Sequence, residues 1–575
     1  MKLHYFFKES NRLDILRTKD RKFILAALRR YWPYIKARWK SGLSGSLFMI
    51  VLALLALPSP YLIKLIFDKV LIARNIGLLN LIIILLIGIQ LVRIFFSVLT
   101  SYHFSHFSQE VMANIKKDLF YRILRLPLSF FDKNQTGYIL SRIGEVEGLS
   151  YFFSSIVASI LISLLELIFC LTILFLLSWK LTIISLFIIP LFFFITKFFS
   201  KTIRNLSLET YEKGAEISHH IQDSLAGVDV IKYFSAERKQ TLRIHSFLNE
   251  LRAINIKRNV ISTFSSESLA LIGALGGVIV LWYSGVDIIK GSFTVGSYMA
   301  FSAYVAKLYG PTQMLASIGL AFQPAITALC RVSELMEIEG EEKRDNGIAI
   351  QSIRNEIEFR NVSFSYDTKK VLCAIDLVIK KGEKVILTGP NGSGKSTLVK
   401  LILGLYESQD GSIFIDGLDI KRLSLSSLRD RISVVSQNTF LFNDTIKNNI
   451  LYSRPEASEE EMFSASRIAG AFEFIRILEK GYETIVGERG VKLSGGERQK
   501  ISIARAILRD ADVMIFDEAT VYLDQESEKN ISFLFQNGLQ NKTCIIVSQH
   551  VHNIPQIKKI YYMNEGRISH VETAL

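Results

Sequence analysis

The chain has 575 residues, a length that exceeds one ordinary domain and suits two. Hydrophobic residues make up 49% of it; apolar runs extend to about residue 330, and the rest has the composition of a soluble α/β protein. The net charge of +14 does not indicate nucleic-acid binding, because the basic residues form no patch with interleaved aromatics. Many precede the first apolar run, where positive charge holds a chain end in the cytoplasm. Four scattered cysteines without a CxxC pair argue against a zinc site or a disulfide framework.

The first apolar half predicts a bundle of membrane helices. An amphipathic stretch from Phe23 to Trp39 suits a helix lying at the membrane interface. Six spans follow, each near the ~20 residues that a bilayer core requires. They are predicted at about 42–66, 78–100, 153–178, 181–200, 262–289 and 294–318. Long polar helical stretches separate spans two and three, and spans four and five, so we expect the membrane helices to continue into the cytosol.

Four charged residues interrupt these spans: Arg93, Glu166, Glu267 and Lys307. Inside lipid such groups are costly, so they face a bundle interior or a watery cavity unless they can reach the interface. We interpret Arg93, Glu267 and Lys307 as lying near span ends and reaching the interface. Glu166 lies close to the middle of the third span, and we predict that it faces the translocation cavity.

A complete phosphate-binding loop follows an apolar strand in the C-terminal half and precedes a helix. Its residues, with the first helical position, are Gly389, Pro390, Asn391, Gly392, Ser393, Gly394, Lys395, Ser396 and Thr397. The glycines let backbone N–H groups surround phosphates, Lys395 reaches the β- and γ-phosphates, and Ser396 ligates Mg²⁺. The helix N-terminus adds a favourable dipole. The pattern predicts ATP and Mg²⁺ as cofactors.

A second apolar strand, from Val513, ends in Asp517 and Glu518. Next to a phosphate loop, Asp517 is placed to hold the Mg²⁺ shell. Glu518 is placed to orient and deprotonate the attacking water. The two carboxylates therefore predict an ATPase.

The segment Leu493-Ser494-Gly495-Gly496-Glu497-Arg498-Gln499 is absent from most phosphate-loop ATPases. With it, residues 356–570 resemble the nucleotide-binding domain of an ABC transporter. The resemblance implies that Tyr366 stacks on adenine. It also implies that Gln437 links the γ-phosphate site to the membrane domain and joins Ser396 and Asp517 at the metal. Lys395, Glu518 and Gln549 are the implied catalytic residues.

The membrane half resembles the type IV exporter fold, also called the type I exporter fold. The matching positions are Leu126 to Asp132 with Thr136, Gly137 and Arg142 in a first cytosolic loop, Gly227, Ile231, Lys232 and Phe234 in a second, and Pro311 and Arg331 near the exit helix. The predicted fold class is thus a six-span membrane α-helical bundle followed by an α/β P-loop ABC ATPase domain. The predicted divisions are a cytosolic N-terminal segment with an interfacial elbow helix (1–41), a transmembrane domain (42–336), a linker (337–355) and a nucleotide-binding domain (356–575).

The resemblance implies half of a transport machine. In this family two nucleotide domains meet head to tail, so that Ser494, Gly495 and Gly496 of one chain cap ATP on the phosphate loop of the other. We expect a homodimer in preference to a heterodimer, contacts with membrane lipids and a transported substrate, and no nucleic acid. The predicted location is a bacterial inner membrane, with the N-terminus and the ATPase domain in the cytoplasm. The predicted activity is ATP-driven export of an amphipathic compound, lipid or peptide by alternating access.

Two departures from the family pattern leave an alternative open. Val521-Tyr522 replaces the usual Ser-Ala after the catalytic strand, and Gln549 stands at the switch-histidine position, with His550 next to it. These departures favour a regulatory, weakly hydrolysing half of a heterodimer, whereas Glu518 and the intact signature favour an active exporter. The spans exclude a soluble chromosome-maintenance ATPase. An importer is disfavoured because importers usually carry the two domains on separate chains.

Overall fold

The computed structural model describes residues 21–134, 136–518, 539–540, 542–549 and 556–573. The described residues form two compact units. The first contains the chain up to Tyr121 together with Gly137–Glu337. The second contains Arg122–Thr136 and the chain from Ile338 onward. A short segment of the helical half thus belongs with the nucleotide-binding half.

The first 345 residues are helical wherever regular structure is described. The helices are α1 (Arg21–Ala37), α2 (Trp39–Ala56), α3 (Pro58–Leu65), α4 (Ile76–Leu124), α5 (Leu128–Lys133), α6 (Thr136–Glu145), α7 (Ser150–Phe153), α8 (Ser155–Leu177), α9 (Trp179–Leu186), α10 (Ile189–Ala226), α11 (Val228–Tyr233), α12 (Glu237–Ile289), α13 (Val295–Ala321), α14 (Gln323–Glu337) and α15 (Glu342–Asp345). The helix α5 lies in the second unit.

Five helical stretches in the described part of the chain are long and apolar enough to cross a membrane. They are Trp39–Val70, Ile76–Leu124, Gly137–Leu177, Trp179–Ala226 and Glu237–Ile289, and they contain the first five predicted spans. The sixth predicted span falls in α13, which has 27 residues but is not among the five. The 53 residues of α12 extend about 80 Å at 1.5 Å per residue, far beyond a hydrocarbon core of about 30 Å. Helices therefore continue well past the membrane thickness, as predicted.

One of the charged residues in these helices does not lie where we predicted. The Nζ of Lys307 donates a hydrogen bond to the carbonyl oxygen of Ala56, within the Trp39–Val70 stretch. Arg93 lines a cavity together with Glu166. The interface interpretation is therefore wrong for Lys307, because the carbonyl oxygen of Ala56 on another helix accepts its hydrogen bond. For Arg93, whose side chain contacts Gln90 on its own helix at 3.4 Å, it stays a prediction. Glu267 is exposed on α12, and its interpretation stays a prediction.

The second unit contains two sheets. A four-stranded antiparallel sheet has the order β2 (Lys369–Lys380), β1 (Glu356–Tyr366), β4 (Asp410–Ile415) and β5 (Leu418–Asp419). A six-stranded sheet has the order β10 (Arg567–Thr573), β9 (Lys559–Asn564), β3 (Lys384–Thr388), β8 (Thr543–Ser548), β7 (Val513–Asp517) and β6 (Ile432–Val435). All of its strands except β10 pair in parallel. The central strands β3 and β8 are buried along their whole length, as expected for a parallel sheet covered on both faces.

Helices pack around the parallel sheet. They are α16 (Lys395–Ile402), α17 (Leu425–Asp430), α18 (Ile446–Leu451), α19 (Glu459–Ile468), α20 (Phe472–Ile477) and α21 (Gly495–Leu508). One apolar core joins the antiparallel sheet to α16 and α17, and a second joins the other face to α18, α19 and α21. This layered α/β arrangement agrees with the predicted fold class.

Polar contacts hold α5 in the second unit. Tyr406 donates a hydrogen bond of 2.5 Å to Asp132, and Lys133 pairs with Asp367 at 2.7 Å. At the start of the same segment, Arg122 pairs with Glu342 at 2.8 Å. Residues Arg122–Thr136, which include Leu126 to Asp132 of the loop resemblance, are thus bound to the rest of the second unit at Arg122 and at α5.

Candidate active site

The predicted site residues converge at one edge of the parallel sheet. The strands β3, β8, β7 and β6 are neighbours in that order and run in the same direction. Their carboxyl ends lead to the phosphate loop, Gln549, Asp517 with Glu518, and Gln437, respectively. In open α/β sheets, ligands bind outside the carboxyl ends of the strands. Four segments far apart in the sequence therefore contribute to one site.

The backbone of the phosphate loop requires glycine at two close approaches. Gly389 has φ +152°, and a Cβ there would lie 2.1 Å from the carbonyl oxygen of Met563. Gly394 has φ +102°, and its Cβ would lie 2.6 Å from a methyl carbon of Leu372. A side chain at either position would displace the loop. Asn391 and Gly392 are exposed, so the loop presents its tip to a ligand.

Two buried side chains face the interior of this loop. The Nζ of Lys395 donates to the carbonyl oxygens of Gly389 at 2.7 Å and Pro390 at 3.0 Å. Burial lowers the pKa of Lys395, while Glu518 and Asp517 act in the opposite direction. The Oγ of Ser393 is buried and has no hydrogen-bond partner among the described residues. A buried donor without a partner is costly, so this hydroxyl suits an anionic ligand in the loop.

Ser396 and Asp517 form the oxygen pair expected at a magnesium site. The Oγ of Ser396 donates to Oδ1 of Asp517 at 3.0 Å. Burial raises the pKa of Asp517, the hydrogen bond from Ser396 lowers it, and the negative charge of Glu518 raises it. Hydroxyl and carboxylate oxygens are ligands that Mg²⁺ prefers. The residue pair therefore fits the metal that the sequence predicted.

Glu518 is held between two amides. It accepts a hydrogen bond from Nε2 of Gln437 at 2.5 Å and contacts from Nε2 of Gln549 at 3.2 and 3.3 Å. Its backbone has φ +49°, an uncommon conformation for a residue other than glycine. Its N–H is bonded to the carbonyl oxygen of Val547 on β8. The backbone turn and the two amides together fix the carboxylate beside the phosphate loop, where a general base is required.

Gln549 lies in the site, as its predicted register requires. Its carbonyl oxygen accepts a hydrogen bond from Thr388 at 3.3 Å, and its side chain reaches Glu518. The predictions for His550 and for Val521 and Tyr522 fall outside the described residues. Gln549 therefore lies beside Glu518, and its role as the switch residue stays a prediction.

The signature segment begins α21. Ser494 is its N-cap and forms a capping box with Glu497: the Ser494 N–H donates to the Glu497 carboxylate at 2.8 Å, and the Glu497 N–H donates to Ser494 Oγ at 3.3 Å. A Cβ added at Gly495 or at Gly496 would meet no atom of the described residues within 4 Å. Packing against the described part of the chain therefore does not require these two glycines. Ser494 and Gly495 are exposed, so this helix N-terminus is open among the described residues.

Tyr366 belongs to an aromatic cluster that sequence reasoning only partly found. Its ring meets Phe364 at 4.8 Å and Tyr406 at 5.1 Å, both edge to face, and Lys400 lies 5.6 Å from its centre. The role of Tyr406 was missed. Its partner Asp132 was noted only as part of the first-loop resemblance, and the two are 274 positions apart in the sequence.

Glu166 lines a cavity of about 430 Å³ between α2, α4 and α8. The structure thus places Glu166 beside a cavity, and its position in the translocation path stays a prediction.

Comparison with known proteins decides the family. The chain matches the family described as ABC transporter transmembrane region over residues 44–312, and the one described as ABC transporter over residues 372–521. It is 34% identical over 522 residues to an ATP-dependent lipid A-core flippase of Desulfotalea psychrophila, which covers 90% of this chain and 91% of that protein. The chain belongs to the ABC transporter family.

Two further similarities, to a relative and to a solved structure, extend along nearly the whole of this ABC transporter. A Bacillus subtilis protein whose name assigns it to multidrug export is 32% identical over 563 residues, or 96% of each chain. The solved structure of a bacterial Atm1-family ABC exporter with ATP bound is similar with a TM-score of 0.82 and 25% identity, covering 94% of this chain and 95% of that one.

These matches confirm several predictions. The chain is an ABC transporter with fused membrane and nucleotide-binding parts, it is an integral membrane protein, and it binds nucleotide. Its activity is ATP hydrolysis coupled to export. Nothing in the matches favours the alternative of a regulatory, weakly hydrolysing half.

Proposed function

We propose that two copies of this chain form an exporter that hydrolyses ATP to move an amphipathic, lipid-like cargo across a bacterial inner membrane. The ATPase units lie in the cytoplasm in this proposal. One observation carries it. Ser396, Asp517, Gln437, Glu518 and Gln549 meet at one sheet edge in a chain that also has helices long and apolar enough to cross a membrane.

The phosphate loop would hold ATP. Lys395 and the Ser393 hydroxyl face into the loop, and α16 begins at its end, so a cation, a buried donor and a helix N-terminus all favour phosphate there. Tyr366 would stack on the adenine. Ser396, Asp517 and the amide oxygen of Gln437 would hold Mg²⁺, which when bound supplies positive charge to the transferred phosphoryl group.

Glu518 would act as the general base. It accepts a proton from a water whose oxygen bonds to the γ-phosphorus, while the bond from that phosphorus to the β–γ bridging oxygen breaks and leaves ADP and phosphate. Gln437 and Gln549 hold both oxygens of this carboxylate in position. Lys395 would stabilise charge on the leaving phosphates.

The second copy would complete each site. Ser494, Gly495 and Gly496 surround an open helix N-terminus, which is a ready anion site. Two chains in head-to-tail contact would place each signature over the partner's ATP. Closure then follows because ATP binds the closed dimer better than the open one, and hydrolysis reverses that preference.

The cargo class rests on two arguments. Similar proteins include flippases of lipid A-core and a protein named for multidrug export. The predicted spans carry few charges, and three of those few, Arg93, Glu166 and Lys307, line the cavity or have a hydrogen-bond partner on another helix. A lipid-like molecule with a polar headgroup fits an apolar path that contains a small charged region.

Purified protein in lipid vesicles tests the proposal. We expect ATP turnover that rises with lipid-like cargo, and movement of a labelled lipid between leaflets that needs ATP. Lys395→Ala should weaken ATP binding itself, because it removes a phosphate contact. Glu518→Gln should bind ATP like the wild type but turn it over at least about 10²-fold more slowly, because the base is lost.

The two variants must differ in kind. Equal loss of ATP affinity in both would contradict the separate roles. Lys447→Ala is a suitable control, because Lys447 is a lysine of the same unit that pairs with Glu459 away from the site. Vesicles that hydrolyse ATP but never move any lipid, drug or peptide would contradict the export of amphipathic cargo.

A further inference from the structure

The cavity in the membrane half has two polar walls with the same helical spacing. On α4, Gln90, Arg93 and Ser97 line it, and on α8, Ser159, Ser163 and Glu166 do so. Residues spaced three or four apart lie on one face of a helix, so each wall carries a polar stripe. One isoleucine lies beside each stripe, Ile94 on α4 and Ile162 on α8. The third wall, from α2, is apolar. Polar stripes on membrane helices are costly unless they serve a ligand or each other.

The two charges in these stripes do not neutralise each other by direct contact. No ion pair joins Arg93 to Glu166 within the described part of the chain. The Nε of Arg93 is buried without a hydrogen-bond partner there, and its Nη1 has only a 3.4 Å contact with Gln90 on its own helix. Lys307 interacts electrostatically with Glu166, but its hydrogen bond goes to the carbonyl oxygen of Ala56. A cation and an anion therefore line one cavity with capacity to bind a ligand.

We propose that this cavity binds a zwitterionic headgroup, with its phosphate at Arg93 and its protonated amine at Glu166. A guanidinium pairs with phosphate through two parallel hydrogen bonds, and a carboxylate accepts hydrogen bonds from an ammonium group. Ser159, Ser163 and Ser97 supply further hydrogen bonds along the two stripes. The inference rests on the proposed function, since it names the headgroup of the exported cargo.

The size of the cavity agrees with this ligand. Small-molecule sites typically have volumes of about 300–1,000 Å³, and this one has about 430 Å³. That volume suits a headgroup with the first part of its chains. The apolar wall formed by Met49, Leu52 and Ala53 is where those chains would begin. A purely anionic headgroup would leave the Glu166 carboxylate facing a like charge.

Three matched probes test the inference: phosphatidylethanolamine, its N-acetyl derivative, which keeps the phosphate but loses the amine charge, and a long-chain primary amine without phosphate. Binding to the full-length protein is measured by native mass spectrometry. Because charged hydrogen bonds are at stake, we expect phosphatidylethanolamine to bind about tenfold tighter than either other probe. Glu166→Gln should bind phosphatidylethanolamine no more tightly than the N-acetyl lipid. Arg93→Gln should bind phosphatidylethanolamine no more tightly than the long-chain amine.

Two further variants serve as controls. Glu166→Asp keeps the negative charge and should still prefer phosphatidylethanolamine over the N-acetyl lipid. If Glu166→Gln loses this preference and Glu166→Asp keeps it, the loss reflects recognition of the amine and not misfolding. Glu267→Gln removes an exposed carboxylate that does not line the cavity and should behave like the wild type. Equal affinity of the wild type for the first two probes overturns the inference. So does a preference that survives Glu166→Gln.

ATP turnover in vesicles separates this inference from the proposed function. If the probes raise ATP turnover but the headgroup preference is the same in Glu166→Gln as in the wild type, the proposed export function is supported and the headgroup site is contradicted. If the preference depends on Glu166 while no lipid, drug or peptide raises turnover or moves, the site stands and the proposed function fails.

Discussion

Gln549 is the residue in the site that departs most from its family's pattern. Its Nε2 points at both oxygens of Glu518, so it can orient the base and can donate to a phosphate. A glutamine amide cannot take up a proton at physiological pH, whereas an imidazole can. The site is therefore expected to bind ATP normally and to hydrolyse it slowly.

We predict that Gln549→His raises ATP turnover with little change in ATP affinity. A positioned acid–base group contributes about 10²–10⁴-fold, and the existing amide already supplies part of the contact, so we expect a gain of up to about 10²-fold. Single-turnover rates of both proteins, with ATP affinity measured separately, check this.

The matched control is His550→Ala, because the sequence assigns the switch position to Gln549. This control is expected to turn over ATP like the wild type, whereas Gln549→Ala should be slower because Glu518 loses a hydrogen-bond donor. The opposite result, with His550→Ala inactive and Gln549→Ala unaffected, would show that His550 is the switch.

At this scale, residues in local motifs were predictable and long-range contacts were not. Lys395, Ser396, Asp517 and Glu518 could be found because phosphate and metal chemistry dictate the residue types at short spacing. The sequence gives no comparable signal for the Arg93 cavity. Whether a charge in an apolar helix reaches the interface or turns inward depends on which helices pack beside it.

The helix α5 shows how an element far away in the sequence becomes part of the nucleotide unit. Tyr406 packs against Tyr366 on one side and donates to Asp132 of α5 on the other. Burial raises the pKa of Tyr406, and the hydrogen bond and negative charge of Asp132 raise it further. The phenol therefore stays protonated, as a donor must. These contacts connect the predicted adenine-stacking residue to the segment that resembles the first cytosolic loop.

We predict that Tyr406→Phe weakens the response of ATP turnover to cargo. A hydrogen bond to a charged group contributes about 1.5–3 kcal/mol, and exposure reduces this to about 1 kcal/mol. The increase in ATP turnover that cargo causes should accordingly be about fivefold smaller in the variant. Turnover is measured with and without lipid-like cargo in the same vesicles.

A second tyrosine–carboxylate pair supplies the control. Tyr562 on β9 donates to Glu572 on β10 at 2.9 Å, at an exposed sheet edge away from α5. Tyr562→Phe removes the same hydroxyl and should leave the cargo response intact. Equal responses in Tyr406→Phe and Tyr562→Phe would show that the bond to Asp132 carries no coupling.

The type of most helices and strands could be predicted from the sequence, but the residues at which they begin and end could not. Continuous apolar runs indicated five of the membrane stretches, and polar helical pattern indicated that they extend past the bilayer. The sixth span depended on resemblance, because α13 is more polar. The capping box of Ser494 and Glu497 is a local signal that marks the start of α21. By contrast, the inclusion of α5 in the nucleotide unit depends on tertiary contacts that no local pattern encodes.

At the scale of the whole molecule, the open signature surface argues for a second chain. Ser494 and Gly495 are exposed, and no described hydrogen bond joins Ser494, Gly495 or Gly496 to the phosphate loop of the same chain. A cap that does not close its own site has a function only if another site reaches it. If the signature of one chain completes the site of another, assembly decides whether hydrolysis occurs.

Mixed dimers distinguish sites shared between chains from sites formed within one. In the trans mixture, one chain carries Lys395→Ala and its partner carries Ser494→Arg. If sites are shared head to tail, both defects fall in one site and the other site is intact, so up to about half of the wild-type turnover should remain.

In the cis mixture, one chain carries both substitutions and its partner is wild type. Each shared site then has one defect, and turnover should fall to the level of the Lys395→Ala homodimer.

The two mixtures are purified through different tags on the two chains and compared at equal protein concentration. The reverse order, with the cis mixture active and the trans mixture inactive, would mean that each chain completes its own site. Both mixtures contain the same two substitutions, and purification through both tags retains only dimers that contain one copy of each chain, so a chain that fails to assemble enters neither comparison.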